Sequence, residues 1–117
     1  MNKVYIEKRP WGNFKQFTFN EKSTVKILTV KPNSILSLQF HRKRDELWYF
    51  ITDGYVQIGR KKKKVKKDSI INIKRGTLHR LFSKNKEVKV LEISFGRFDE
   101  NDITRIEDIY GRIKNRA

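Results

Sequence analysis

Apolar and polar residues alternate with a period of two along most of this chain, and no long window shows the 3.6-residue period of an amphipathic helix. Residues 4–7, 14–19, 25–30, 35–41, 47–52, 55–58, 69–73, 78–82 and 88–95 read as short strands. Turn residues separate several of them: Lys31-Pro32-Asn33-Ser34, Asp53-Gly54 and Lys74-Arg75-Gly76. Many short strands at this spacing predict an all-β sandwich or closed barrel. The tail differs. Ile103, Ile106 and Ile109 recur every third residue, and Asn101 or Asp102 would cap a helix before them, so 102–110 predicts one short C-terminal helix. No internal repeat or linker appears, and 117 residues fit a single domain over 1–117.

Strand alternation sorts residues 35–41 into two faces. Leu36, Leu38 and Phe40 form one apolar face, suited to packing between sheets. Ile35, Ser37, Gln39 and His41 form the other, which turns polar towards its C-terminal end. Glu46 opens the next strand after a short loop and can return beside His41 if the two strands pair. His79 opens a later strand, just after Gly76. A lone histidine or glutamate is most often solvated or hydrogen-bonded within the protein. Here the joint spacing makes the case. His41 and His79 are the only histidines in the chain, and both fall where a two-part metal motif needs them. Four such groups converging in a barrel would hold one divalent cation.

Composition narrows the chemistry. The chain has no cysteine, which excludes disulfides, thiolate metal sites and cysteine nucleophiles. The first seven residues lack the apolar core of a signal peptide, and no segment is apolar enough to span a bilayer, so a cytoplasmic protein is expected. The formal charge of +15 attracts anions, whether nucleic acid, acidic membrane surfaces or phosphorylated metabolites. The basic run 60–67 is broken only by Val65. It reads as a solvated hairpin with Val65 turned inward. It contains none of the stacking aromatics that nucleic-acid modules interleave with their cations, so a nucleic-acid partner is not expected.

The motif spacing resembles the cupin superfamily. The first cupin motif is His-x-His followed by a glutamate and a glycine. Here Gln39 stands for the first histidine, His41 is the second, Glu46 follows, and Gly54 closes the pattern. The second motif, Pro-x-Gly-x-x-His-x-x-x-Asn, is matched at Gly76 and His79, with Lys74 and Ser83 in place of proline and asparagine. Arg9-Pro10-Trp11-Gly12, Leu36-Ser37-Leu38-Gln39-Phe40-His41, Arg44-Asp45-Glu46-Leu47-Trp48, His79-Arg80-Leu81 and the tail from Glu100 to Arg112 look like the type II mannose-6-phosphate isomerase family, in order over nearly the whole chain. One departure is local: the family commonly has a run of histidines where this chain has Arg42-Lys43. In the family the cupin usually follows a mannose-1-phosphate guanylyltransferase domain, for which 117 residues leave no room, so the resemblance is to the isomerase part alone.

The resemblance implies a cupin jelly-roll barrel that interconverts mannose 6-phosphate and fructose 6-phosphate through a cis-enediol. It implies a metal held by Gln39, His41, Glu46 and His79, with zinc first and manganese, iron, nickel or cobalt as alternatives. The metal would polarise the C1 and C2 oxygens, and cationic side chains would hold the phosphate. Arg44, Arg105 and Arg112 are candidates for the phosphate or the enediolate, or are surface arginines paired to Asp45 or Asp108. Glu92, on an otherwise apolar strand, is the candidate acid–base group. Trp11 and Trp48 read chiefly as packed residues. A homodimer sharing sheet edges is expected by analogy. The alternatives are a cupin that binds a phosphorylated or nucleotide sugar without turnover, and another metal cupin enzyme such as a dioxygenase or an epimerase.

Overall fold

A computed structural model describes residues 4–111. These residues form eleven strands and, among themselves, no α-helix: β1 (Tyr5–Arg9), β2 (Gly12–Gln16), β3 (Ser23–Val30), β4 (Leu38–Phe40), β5 (Glu46–Phe50), β6 (Gly54–Ile58), β7 (Lys61–Val65), β8 (Ile70–Ile73), β9 (His79–Phe82), β10 (Val88–Phe95) and β11 (Thr104–Glu107). All the pairings between them are antiparallel.

Two sheets build the body. One has the order β3-β10-β5-β8, the other β11-β4-β9-β6-β7, and β1-β2 forms a separate hairpin. Inward residues of both sheets share one core. Val30, Trp48, Phe50, Ile73, Val88 and Val90 of the first meet Val56, Val65 and Leu81 of the second. The alternation visible in the sequence is in part the alternation of this core: in β6 Gly54 and Val56, and in β10 Val88 and Val90, are buried between less buried neighbours. Gly54 leaves no room for a side chain in that core: a Cβ there would lie 2.7 Å from Val88 Cγ1 and 2.8 Å from a Phe50 ring carbon.

The basic run folds as β7, an edge strand with Val65 buried and Lys61 to Lys64 all exposed, so Lys61 and Lys63, on the face of Val65, stay in solvent at the sheet margin. The tail overturns one expectation. Residues 102–110 do not form a helix. β-Branched Thr104 and Ile106 suit a strand, and β11 pairs with β4, which would otherwise end its sheet on unsatisfied backbone groups. Asp102, expected to cap a helix, does bind backbone N–H groups. They belong to Arg42 and Lys43, which donate to its Oδ1 and Oδ2 at 2.9 and 3.0 Å. Arg112, named above as a phosphate candidate, lies outside the described residues.

The hairpin is anchored at its base. The Phe17 ring meets Tyr49 edge-on at 5.3 Å, and Lys15 Nζ lies 5.3 Å from the Tyr49 ring centre. Its tip is open. Trp11 is 73% exposed, so the expected packing of that indole is not found.

Candidate metal centre

Gln39, Glu46 and His79 are placed by strand register, and His41 follows directly on β4. Gln39 of β4 stands directly across from His79 of β9. Glu46 opens β5 and faces Ser94 of β10 on one side. Gly76, at φ +80°, shapes the turn before β9, and its N–H donates to the His41 carbonyl at 2.6 Å. That bond ties the turn leading to His79 to His41, just past the end of β4.

His41, Glu46 and His79 thereby meet in the interior, each offering one donor atom, with all three atoms within 4.8 Å of one another. Both imidazoles are oriented from behind. His41 Nδ1 donates to the Asp102 carbonyl and His79 Nδ1 to the Thr77 carbonyl, each at 2.7 Å. A carbonyl only accepts, so in the neutral ring Nε2 is left with its lone pair facing inward. Those Nε2 atoms lie 3.1 and 3.6 Å from Glu46 Oε1. Glu46 Oε1 and His79 Nε2 have no hydrogen-bond donor among the described residues. His41 Nε2 has Arg44 Nη2 at 3.4 Å, but the other two buried acceptors are turned on each other with no donor between them, and this set fits a divalent metal.

The second carboxylate oxygen of Glu46 is fixed independently. Ser94 Oγ donates to it at 2.7 Å and Arg44 Nε at 3.1 Å. Burial works to raise the Glu46 carboxyl; when the imidazoles of His41 and His79 also carry a proton at Nε2, their contacts together with Ser94 outweigh it and hold the group well below the usual carboxylate range. Arg44 is spent on this task. Besides Glu46 it donates to the Asp99 carbonyl at 3.0 Å, and its guanidinium lies 4.6 Å from the Phe98 ring centre. The surface pairing weighed for it with Asp45 does not occur: Asp45 instead accepts from Arg75 N at 2.8 Å.

A cavity of about 500 Å³ opens beside the trio, lined in part by Gln39, His41, Arg44, Glu92, Arg105 and Lys26. Gln39 Oε1 accepts from Ser37 Oγ at 2.8 Å. Arg105 has a buried Nε without a hydrogen-bond partner, so part of its guanidinium is unspent. Glu92 accepts from the Trp48 indole N–H at 3.0 Å. Burial first, then the Glu46 charge, push its carboxyl above the ordinary glutamate range, against the indole, Arg44 and His41. Trp48 itself is fully buried and meets His79 edge-on at 5.3 Å, so it is both core and wall of the centre.

Three contributors escape a reading by motif. Lys26 faces Glu92 across β3 and β10, and its signal was present in the alternation of Lys26 with Leu28 and Val30. Ser94 and the Asp102 carbonyl carried no such signal, since a serine in a strand and a backbone oxygen look alike everywhere in sequence.

Comparison with known proteins shows the family and the fold. The family described as "Mannose-6-phosphate isomerase C-terminal" matches residues 2–108. The xanthan biosynthesis protein XanB of Xanthomonas campestris pv. campestris is 35% identical over 114 residues, covering 94% of this chain and 24% of that protein. The mannose-1-phosphate guanylyltransferase ManC of Salmonella typhimurium is 34% identical over 108 residues, covering 90% of this chain and 22% of its own. The chain thus spans about a quarter of the length of the curated relatives it matches. Among solved structures, the capsular polysaccharide assembling protein CapF of Staphylococcus aureus superposes with a TM-score of 0.66 at 16% identity, covering 92% of this chain and 33% of CapF. A cupin protein from Bacteroides fragilis gives a TM-score of 0.58 at 13% identity, covering 66% and 70%. These likenesses bear out the cupin barrel. They correct the expected reaction. The relatives whose names state an activity are mannose-1-phosphate guanylyltransferases, not enzymes that interconvert mannose 6-phosphate and fructose 6-phosphate. The physical reason is that the ligand motifs specify a metal-ready barrel, which many chemistries share, and do not specify a reaction.

Proposed function

This chain belongs to the mannose-6-phosphate isomerase C-terminal family of cupins, and from that premise we propose that it is a divalent-metal centre for sugar phosphates, acting within enzymes of sugar-phosphate metabolism. One observation carries the reading: His41, Glu46 and His79 turn buried acceptor atoms on a single point, and two of those atoms have no other partner. Gln39, directly across from His79, is the proposed fourth ligand. Zinc suits two imidazoles and a carboxylate, and manganese, iron, nickel or cobalt accept the same donors. Bound there, the ion would polarise an oxygen of the sugar phosphate.

The chain's own residues supply the rest. Arg105 and Lys26 line the cavity and offer cationic donors for a phosphate. Glu92, whose protonated form burial favours, can hold a proton at the cavity wall and release it to a ligand oxygen. Arg44 orients Glu46 and so acts through the metal ligand rather than on the substrate. A cavity of about 500 Å³ is of the size that takes small-molecule ligands. The name of the guanylyltransferase relatives, which specifies mannose 1-phosphate, supports the ligand class. A cytoplasmic location, where sugar phosphates are made and consumed, goes with this reading.

The reading includes a homodimer. Among the described residues the outer edge of β3 has no partner strand, and Val25 and Ile27 on it are 55% and 61% exposed. The β1–β2 hairpin, a two-stranded sheet of a kind marginal when isolated, ends in an open tryptophan. A second copy would cover both.

The experiment is metal content after chelator stripping and reconstitution, measured by mass spectrometry. One ion per chain in the wild type and none in His79→Ala is the expected result. Equal metal in both would overturn the centre.

A further inference from the structure

The basic run holds no aromatic residue, yet the sheet brings aromatics to it. On the outer face of the five-stranded sheet, Tyr55 of β6 pairs with Lys64 of β7 on one side and Phe82 of β9 on the other. The Tyr55 and Phe82 rings stack, with centres 5.3 Å apart and planes 24° from parallel. Lys84 Nζ lies 4.9 Å from the Tyr55 ring centre, and Lys62 Nζ lies 5.9 Å from that of Phe82. The result is a row of cation, ring, ring, cation, with Lys64 beside it. Both rings are half-buried at their base and the three lysines are exposed. At the end of the row, Tyr55 and Lys64 edge an open cleft of about 590 Å³ that also holds Lys67 and Lys86, against the opposing charges of Asp53 and Glu87.

We propose that this face binds single-stranded nucleic acid. The chemistry selects that ligand. A polyanion is attracted to a chain of net charge +15, and most strongly where the lysines gather. A phosphate draws an exposed ammonium off its ring, because a charge-assisted contact outweighs a solvated cation–π contact. The freed ring face then takes a base, since stacking on an aromatic is worth more than the ammonium it replaces and tolerates any sequence. The rigid antiparallel ladder under β6, β7 and β9 keeps rings and cations at fixed spacing. This surface is on the outside of its sheet, whereas His79 and Leu81 of β9 point into the barrel, so it is separate from the metal centre.

The test is fluorescence anisotropy with labelled oligothymidine and oligouridine of about 16 nucleotides, the upper site size of one small β-barrel module. Salt is titrated, and a duplex of matched length and a polyuronate of matched charge serve as competitors. The expected result is saturable single-strand binding whose log–log salt slope falls by about 0.7 for each of Lys62, Lys64 and Lys84 changed to alanine. Tyr55→Ala should weaken binding about tenfold with little change in slope. Tyr55→Leu, which keeps apolar bulk without a stacking face, should weaken it likewise, and unchanged metal content in each variant reports an intact fold. Absence of single-strand binding at low salt would overturn the proposal. So would equal competition by polyuronate or duplex with no loss in Tyr55→Leu, which would show a charged surface and no stacking site.

Discussion

Glu92 of β10 stands directly across from Trp48 of β5, and the buried indole N–H donates to its carboxyl at 3.0 Å. The pair joins the core to the cavity wall. Trp48 also meets His79, so a charge change at Glu92 lies one side chain from the metal centre.

That geometry makes stability depend on pH with a definite sign. The folded protein raises the Glu92 carboxyl, so its neutral form is the stable one, and the contribution present at low pH is lost as pH rises through the raised value. In metal-free protein, Glu92→Gln should match the wild type in acid and exceed its melting temperature increasingly as pH rises. Thermal melts across pH check this. A difference that stays constant or reverses would contradict the placement of Glu92. In a Trp11→Phe background, Trp48 emission should report the same titration directly, because Trp11 is the exposed indole and Trp48 the buried one.

Asp102 supports the centre twice, through its carbonyl to His41 and its carboxylate to the N–H groups of Arg42 and Lys43. Asp102→Ala keeps the carbonyl but releases the loop that carries His41 and Arg44. Metal affinity should fall about tenfold, the lower end of losses for residues that orient ligands. Competition with a chromogenic chelator measures it, and an unchanged affinity would assign the loop no role in holding His41.

Gly54 is a packing position. Gly54→Ala places a methyl within 2.8 Å of Val88 and Phe50, and the core there has no slack. The expected cost is about 1–3 kcal/mol in chemical denaturation, with metal stoichiometry intact in the folded fraction.

The dimer has its own test. Ile27→Lys places a charge on the open β3 edge, away from the cavity. Sedimentation should show dimer for the wild type and monomer for the variant. A monomeric wild type at all concentrations would remove the homodimer from the account.

Much of this was legible in the sequence. Period-two alternation gave the strands because each has one face in a shared core. The convergence of His41, Glu46 and His79 was legible because the fold brings residues far apart in sequence together, and Gln39 pairs across from His79. What failed had physical causes. Ile103, Ile106 and Ile109 suggested a helix, but the open edge of β4 offered backbone bonds that a lone tail helix could not match. Trp11 reads as a core residue in any sequence, and only its place at a hairpin tip exposes it. The basic run seemed to lack aromatics because cross-strand neighbours are distant in sequence: Tyr55 and Phe82 are separated by 27 residues and stack nonetheless.

The central claim is a metal centre that takes a sugar phosphate. Isothermal titration of mannose 1-phosphate and mannose 6-phosphate into metal-loaded and metal-stripped protein tests it most directly. The account predicts saturable binding of at least one of them, one per chain, in the loaded protein, and its loss on stripping. Equal binding with and without metal, or none in protein that holds its full metal, would contradict it.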